Sequence, residues 1–377
     1  MVIAGEPSGD ALGSELVAAL RRCVPDERLE LFGAGGHRLA AAGVEIVADL
    51  TQHSMIGLAE AAARYRTFKR YYTQLLETAG HRRPDAVVCV DFAGFNLRFA
   101  GAVRKRSQGG WKPKIIQYVS PQVWASRPGR ARRMARDLDL LLAIFPFEPG
   151  WYASHAPSLR VQFVGHPVLD RHAERPPFVT RGVGRAGSGP TIVLLPGSRR
   201  GEVQRHVPAM AGAIRILREA VPDARFRMVL PDEALRAVAD PVLAGDPEIQ
   251  VQVGGLAGAL AEAAVAIAST GTVTLECALF GVPTVAIYRT SWLTYTLGKR
   301  LVTVRHLAMP NLLADEALFP ELIQDAATPE RIARATRDLL EDEGRREHVQ
   351  GRLAEVVRSL GGPGASRRAA EAILQLI

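Results

Sequence analysis

The chain has 377 residues, 47% of them hydrophobic and 23% charged, which supports two to three domains with their own cores and excludes wholesale disorder. Its net charge of +8 favours anionic partners: phosphorylated metabolites, nucleic acid or an acidic membrane surface. No apolar run approaches the roughly 18 residues that span a bilayer. No charged segment leading into an apolar one marks a signal peptide, and Cys23, Cys89 and Cys277 lie far apart without metal-ligand spacing. A reduced, cytoplasmic setting is expected.

In chain order, short apolar runs predict buried strands at 2–4, 29–32, 86–90, 115–119 and 140–145, with helices at 11–22, 57–79, 96–106 and 129–136 between them. The stretch 171–190 is rich in Pro, Gly and Arg and lacks periodicity, as a linker does. A second strand series follows at 191–195, 226–230, 249–253, 265–268 and 284–287, again alternating with helices. Thr328 then N-caps a helix that starts at Pro329, and further helices are expected at 345–360 and 366–376. Alternation of this kind predicts α/β lobes built on parallel sheets. The first is expected over 1–170, the second over 190–355, with a helical tail over 356–377.

Open parallel sheets bind ligands outside the carboxyl ends of their strands, so each segment that follows a strand is a candidate site. The first is Gly5-Glu6-Pro7-Ser8-Gly9-Asp10, a glycine turn leading into a helix N-terminus that suits an anion or equally a structural turn. Its G-x-x-x-G spacing is not a dinucleotide fingerprint. In the second, Asp91 ends a strand where a carboxylate can act as a general base, with Asn96 nearby; helix or turn capping is the plainer alternative for both.

The third candidate, Gly197-Ser198-Arg199, lacks the G-K-[ST] ending of a P-loop but offers a guanidinium for phosphate, unless Arg199 is a surface ion-pair residue. In the fourth, Ser269-Thr270-Gly271-Thr272 opens a helix as a diphosphate site, with Glu276 one turn in to accept ribose hydroxyls or simply to complement the helix dipole. Together the third and fourth predict one nucleotide-diphosphate site in the second lobe. Asp137-Leu138-Asp139 has the D-x-D spacing of metal-dependent sugar transferases, yet it precedes a buried strand and reads as a strand-entry turn. His166, near the lobe boundary, either contacts substrate or satisfies a turn.

Two basic stretches carry much of the charge. In one, Arg64, Arg66, Lys69 and Arg70 are interleaved with Tyr65, Phe68, Tyr71 and Tyr72 and preceded by Met55 and Ile56, setting apolar and aromatic residues beside four cations as an interfacial membrane helix does. The other comprises Arg127, Arg130, Arg132, Arg133 and Arg136. A solvated helix face is the alternative for each.

Taken in order, AGEPSGDALG, VDFAGFN, YVSPQVWASR, FPFE, VGHPV, LLPGSRRGEV, ASTGTVTLE and MPNLLADE resemble the lipid-A-disaccharide synthase family from residue 4 to about 320. The resemblance implies a GT-B fold: two Rossmann-like domains facing across a cleft, with the nucleotide in the second and final helices crossing back to the first. It implies an inverting transfer from UDP-2,3-diacylglucosamine to 2,3-diacylglucosamine 1-phosphate, giving lipid A disaccharide 1-phosphate and UDP, with no metal or other cofactor. Asp91 falls on the family's essential aspartate, Arg199 and Glu276 on UDP-site residues, and Asn311 near the same site. Ser120 joins the first-lobe candidates for sugar or acceptor contact. Gly94 stands where relatives often carry a second carboxylate, and Ser126 where they often carry Trp.

The acylated substrates imply peripheral association with the cytoplasmic leaflet of the inner membrane, and a homodimer is carried as a candidate assembly. A UDP-N-acetylglucosamine 2-epimerase-like enzyme of the same fold is the first alternative; it has no need of a membrane-facing patch. A non-enzymatic basic membrane- or nucleic-acid-binding protein is the second. It leaves the strand-end segments without a role, and no nucleic-acid module is present, so no nucleic-acid partner is expected.

Overall fold

The computed structural model describes residues 1–25, 28–51, 61–107, 110–173, 189–244, 248–292, 295–296 and 302–377, and of 61–66 the backbone alone. The chain forms two compact units, Met1–Arg171 together with Leu360–Ile377, and His172–Ser359. The second unit is one continuous stretch, whereas the first is completed by the chain's last helix.

Unit 1 begins with β1 (Val2–Ala4), α1 (Pro7–Cys23), β2 (Phe32–Ala34), α2 (His37–Ala41), β3 (Glu45–Ala48) and α3 (Ala61–Arg82). It continues through β4 (Ala86–Val90), α4 (Ala93–Arg106), β5 (Lys114–Tyr118), α5 (Val123–Ser126) and α6 (Arg130–Asp137). Then come β6 (Leu140–Ala143), α7 (Glu148–His155), β7 (Val161–Phe163) and α8 (Val168–Arg171). The strands form a parallel sheet in the order β3-β2-β1-β4-β5-β6-β7. Ile3, Cys89, Ile115 and Leu141 from the strands meet Leu75, Phe99 and Met134 from the helices in one buried core.

Unit 2 contains β8 (Thr191–Leu195), α9 (Arg200–Ala220), β9 (Arg225–Leu230), α10 (Glu233–Leu243), β10 (Ile249–Val253) and α11 (Leu256–Glu262). It continues with β11 (Val265–Ser269), α12 (Thr272–Leu279), β12 (Thr284–Tyr288), α13 (Met309–Ala314), β13 (Glu321–Ile323), α14 (Pro329–Glu341) and α15 (Glu343–Ser359). Its parallel sheet runs β10-β9-β8-β11-β12-β13. β8 and β11 are buried along their whole length, as strands covered on both faces must be. Thr328 caps α14 by accepting the Arg331 N–H at 3.3 Å.

The last helix, α16 (Ala365–Leu374), packs on α1. Its N-terminus is capped from the other end of unit 1: Asp170 accepts the N–H groups of Gly364 at 2.5 Å, Ala365 at 3.1 Å and Ser366 at 3.0 Å.

The elements differ from the sequence expectation mainly at edges. The expected strand at 29–32 sits at Phe32–Ala34; the expected start of α3 at 57 lies outside the described residues, as all of 52–60 does. β3, β7 and β13 were not predicted, because three or four half-exposed residues carry too little periodicity to register. The units change over at 171/172 and at 359/360, against expected boundaries of 170, 190 and 355.

Candidate active site

Each sheet reverses its strand order once, between β1 and β4 in unit 1 and between β8 and β11 in unit 2. Loops diverge at such a switch point and leave a crevice at the carboxyl ends. In unit 1, Ala4 is in register with Val90 and Val90 with Tyr118, so Gly5, Asp91 and Val119 leave the sheet side by side.

Backbone strain gathers there. Asp91, Phe92 and Val119 have φ of 49°, 41° and 68°, a left-handed conformation that is costly for side-chain-bearing residues and most costly for the β-branched valine. Two buried amides hold this arrangement from beneath. Asn96 Nδ2 donates to the carbonyls of Asp91 at 2.9 Å, Val90 at 3.1 Å and Ile3 at 3.4 Å. Gln117 Nε2 donates to Asp91 O at 3.0 Å and Val119 O at 3.2 Å. Asn96 is therefore a clamp on the Asp91 backbone. Gln117 was missed by sequence reasoning, although a buried amide within the apolar run of β5 was its signal.

The glycine turn packs directly against this loop. The Phe92 ring covers Gly5 so closely that a β-carbon there would stand 2.1 Å from Phe92 Cδ1, and one at Gly9 would stand 3.8 Å from Asp91 Cβ. Glu6 and Ser8 lie in the same turn, Ser8 exposed. Asp10 is buried and faces away: its carboxylate accepts the N–H groups of Gly36 at 2.7 Å, Arg38 at 3.0 Å and Leu39 at 3.2 Å, capping α2. A β-carbon at Gly94 would meet nothing within 4 Å, so the backbone leaves room for a side chain at that position.

Further along the same sheet edge, Ser120 Oγ lies 3.1 Å from the Tyr152 hydroxyl, both buried. Glu148, wholly buried, accepts Trp124 Nε1–H at 3.0 Å and the N–H groups of Ile144 at 3.1 Å and Phe145 at 3.0 Å. Burial pushes its carboxyl above the ordinary range against the opposing pull of these bonds. This carboxylate links FPFE to PQVWAS physically. His166 packs on Phe145, accepts the Val168 N–H at its Nδ1 at 3.1 Å, and is held down at about 4 by burial. Its imidazole is thus neutral near pH 7, with the proton on Nε2.

In unit 2, Leu195 pairs in register with Ala268, so the Pro196–Arg199 turn and the Ser269–Gly271 turn emerge together. Gly197 has φ of 121°, and a β-carbon there would collide with Glu202 Oε2 at 2.4 Å. Glu202 accepts the Ser198 N–H at 3.1 Å and Arg199 Nη1–H at 3.2 Å, leaving the Arg199 side chain 74% exposed and able to turn towards a ligand. Gly271, at φ 128°, precedes Thr272 at the start of α12, and Thr274 Oγ1 closes the turn onto Gly271 O at 2.6 Å. The first N–H groups of α9 and α12 have no partners within their helices and suit a diphosphate.

His206 ties the region together, with Nδ1 donating to Pro196 O at 2.7 Å and Nε2 accepting the Arg289 N–H at 2.9 Å. Its signal in sequence was a histidine on the apolar face of α9, between Val203 and Met210. Glu276 lies 3.7 Å from His172 Nε2. Asn311 is wholly buried, and its amide is engaged with Phe319 O at 2.8 Å, Phe319 N–H at 2.8 Å and Glu321 Oε1 at 2.9 Å. It shapes the turn between α13 and β13.

Of the interfacial patch, Met55 and Ile56 lie outside the described residues, as do the side chains of Tyr65 and Arg66. Phe68 and Tyr72 turn inward, Phe68 towards Phe92 and Tyr72 edge-on to Phe95 and Phe99, while Lys69 and Arg70 face solvent. Asp137 and Asp139 of the D-x-D spacing are engaged with Arg136 and Arg104 at 3.1 Å and 2.6 Å.

The family model for lipid-A-disaccharide synthetase matches residues 1–376. This chain belongs to the lipid-A-disaccharide synthase family. It is accordingly a hexosyltransferase, and the ordered motifs are this family's. The lipid-A-disaccharide synthase of Geobacter metallireducens is 37% identical over 383 residues, covering 100% of this chain and 97% of the relative. That of Alkalilimnicola ehrlichii is 39% identical over 383 residues, covering 99% and 97%. The fold is GT-B. The calicheamicin glycosyltransferase CalG4 matches with a TM-score of 0.62 at 18% identity, over 100% of this chain and 97% of its own. A UDP-GlcNAc 2-epimerase from Neisseria meningitidis, bound to UDP-GlcNAc, matches with a TM-score of 0.61 at 13% identity, over 97% of each. Among the described residues no helix is long and apolar enough to cross a membrane.

Proposed function

We propose that this protein moves the glucosamine of UDP-2,3-diacylglucosamine onto the 6-hydroxyl of 2,3-diacylglucosamine 1-phosphate, releasing UDP. Asp91 is the general base. It takes the hydroxyl proton as that oxygen bonds to the anomeric carbon, while the bond from that carbon to UDP breaks and its electron pair leaves with the diphosphate. The observation that carries the assignment is the strained, doubly clamped Asp91 backbone at the switch point of unit 1. Unit 2 supplies the leaving-group side: Arg199 and the N-termini of α9 and α12 meet the charge that develops on UDP, and Glu276 accepts its ribose hydroxyls. Fixed protein charge and dipoles then do what a divalent metal does elsewhere, and the reading uses no cofactor.

Both substrates are acylated, so unit 1 works at the cytoplasmic leaflet of the inner membrane, with Lys69 and Arg70 towards anionic lipid. The epimerases share the fold at identities that carry no activity. Product analysis separates the readings: mass detection of a disaccharide supports transfer, whereas a C2-epimerised sugar nucleotide overturns it. Asp91→Asn should lower kcat by about 10²- to 10⁴-fold, the range for loss of a general base, with UDP affinity within twofold of wild type. Near-normal turnover would remove Asp91 from the role.

A further inference from the structure

A groove between α4 and α6, walled by Tyr72 of α3, takes no part in the chemistry above. It encloses about 380 Å³. Tyr72 O–H donates to the Arg98 carbonyl at 3.1 Å and fixes the wall to α4. Gly101 and Ala102 form the floor, so nothing bulky fills the space. Arg98 and Lys105 reach it from α4, and Arg133 and Arg136 from α6. The lining holds a single carboxylate, Asp137, which is buried and already taken by Arg136 at 3.1 Å and Arg133 at 3.5 Å.

Among the described residues Arg98 and Lys105 have no ion-pair partner, and both are exposed. Positive charge continues beyond the rim. Burial, followed by repulsion from Arg127, Arg98 and Arg133, holds the Arg130 guanidinium below its ordinary value. Four cations converging on one concavity, with one carboxylate between them, suit a compact multivalent anion. Guanidinium forks favour phosphate in particular. Stacked rings, Phe99 on Phe95 and Phe95 on Phe92 with centroids 6.0 Å and 5.7 Å apart, lead from this groove to the Asp91 loop.

We propose that this groove binds the phosphate headgroup of an anionic membrane lipid and seats unit 1 on the bilayer beside its acyl-bearing substrates. The proposal rests on the reading that unit 1 meets the membrane, and adds where the headgroup sits. The experiment is co-sedimentation of the full chain with phosphatidylcholine vesicles, with and without phosphatidylglycerol, at about 0.1 M salt, where exposed charges still act over roughly 10 Å. Wild type should bind the anionic vesicles alone.

Arg98→Glu with Lys105→Glu should weaken that binding at least about thirtyfold, the effect of losing two surface cations. Arg331→Glu with Arg334→Glu, an equal charge change on α14, should change it less than twofold. Turnover on detergent-dispersed substrates should stay within twofold for both variants. Equal losses in the two double variants, or no loss in the first, overturn the groove while leaving membrane docking intact. Failure of wild type to bind anionic vesicles overturns both. Turnover that collapses with the groove variant reassigns the groove to the acceptor and overturns the headgroup. Saturable binding of inorganic phosphate by calorimetry, lost in the groove variant while vesicle binding persists, overturns it in favour of a free anion.

Discussion

Replacing Asn96 tests whether the candidate base is held in place from the interior of unit 1. The Asn96 amide bonds three carbonyls at 2.9, 3.1 and 3.4 Å, while its own Oδ1 is buried without a partner. Each bond contributes about 1 kcal/mol net, the longest less. Asn96→Ala forfeits them but also removes the unsatisfied oxygen, so a net loss of about 2 kcal/mol is expected. Asn96→Asp keeps the shape and presents an oxygen to the same carbonyls, which it can bond only as the protonated acid.

Burial and those carbonyls raise the pKa of the introduced carboxyl above its unfolded value of about 3.9. Stability is then fully present below that value and lost as pH rises through the raised folded pKa. The expected outcome is a deficit of about 4 kcal/mol at pH 8, in the range for an uncompensated buried charge, shrinking steadily as pH falls from about 7 towards 4, since each unit of raised pKa is worth about 1.4 kcal/mol. Denaturant titrations at pH 5 and pH 8 measure it. Both variants should lower kcat about tenfold or more, with UDP affinity within twofold, since they loosen the Asp91 backbone and leave unit 2 untouched. A pH-independent deficit, or full activity in Asn96→Ala, would refute the clamp.

Further expectations concern His166 and Gly197. His166 titrates at about 4 in the folded chain against 6.5 unfolded, so its contribution is complete above pH 6.5 and is lost as pH falls towards 4. The shift corresponds to about 3 kcal/mol. His166→Asn offers an oxygen for the Val168 N–H, and should flatten the stability profile between pH 6.5 and 4; parallel wild-type and variant profiles would contradict this. At Gly197, alanine meets both the left-handed φ, costing about 1–3 kcal/mol, and the Glu202 carboxylate that orders the Ser198 N–H. Gly197→Ala should weaken UDP binding at least about fivefold by calorimetry, and unchanged affinity would argue against an anion site at this turn.

Sequence patterns carried the architecture because buried parallel strands are continuous apolar runs, and β8 and β11 are apolar enough to read directly. The edge strands β3, β7 and β13 were silent for the opposite reason, being short and half exposed. Asp91, Gly197 and Gly271 could be singled out as candidates because they follow strands, where open parallel sheets take their ligands. Gln117, His206 and Glu148 could not. Each acts through a partner distant in sequence, and within its own element it looks like an isolated polar residue.

By itself the sequence determined the family, the two parallel-sheet units and which strand-end segments are candidates for chemistry, since these depend on local pattern and on motif order. Tertiary structure decided what each polar side chain does. Asp10 and Asp91 both come shortly after strands and beside glycines, yet packing turns the first, in α1, onto three N–H groups at the start of α2 and holds the backbone of the second in a left-handed bend. Hydrogen-bond partners supplied by other elements make that difference, and no local pattern encodes them.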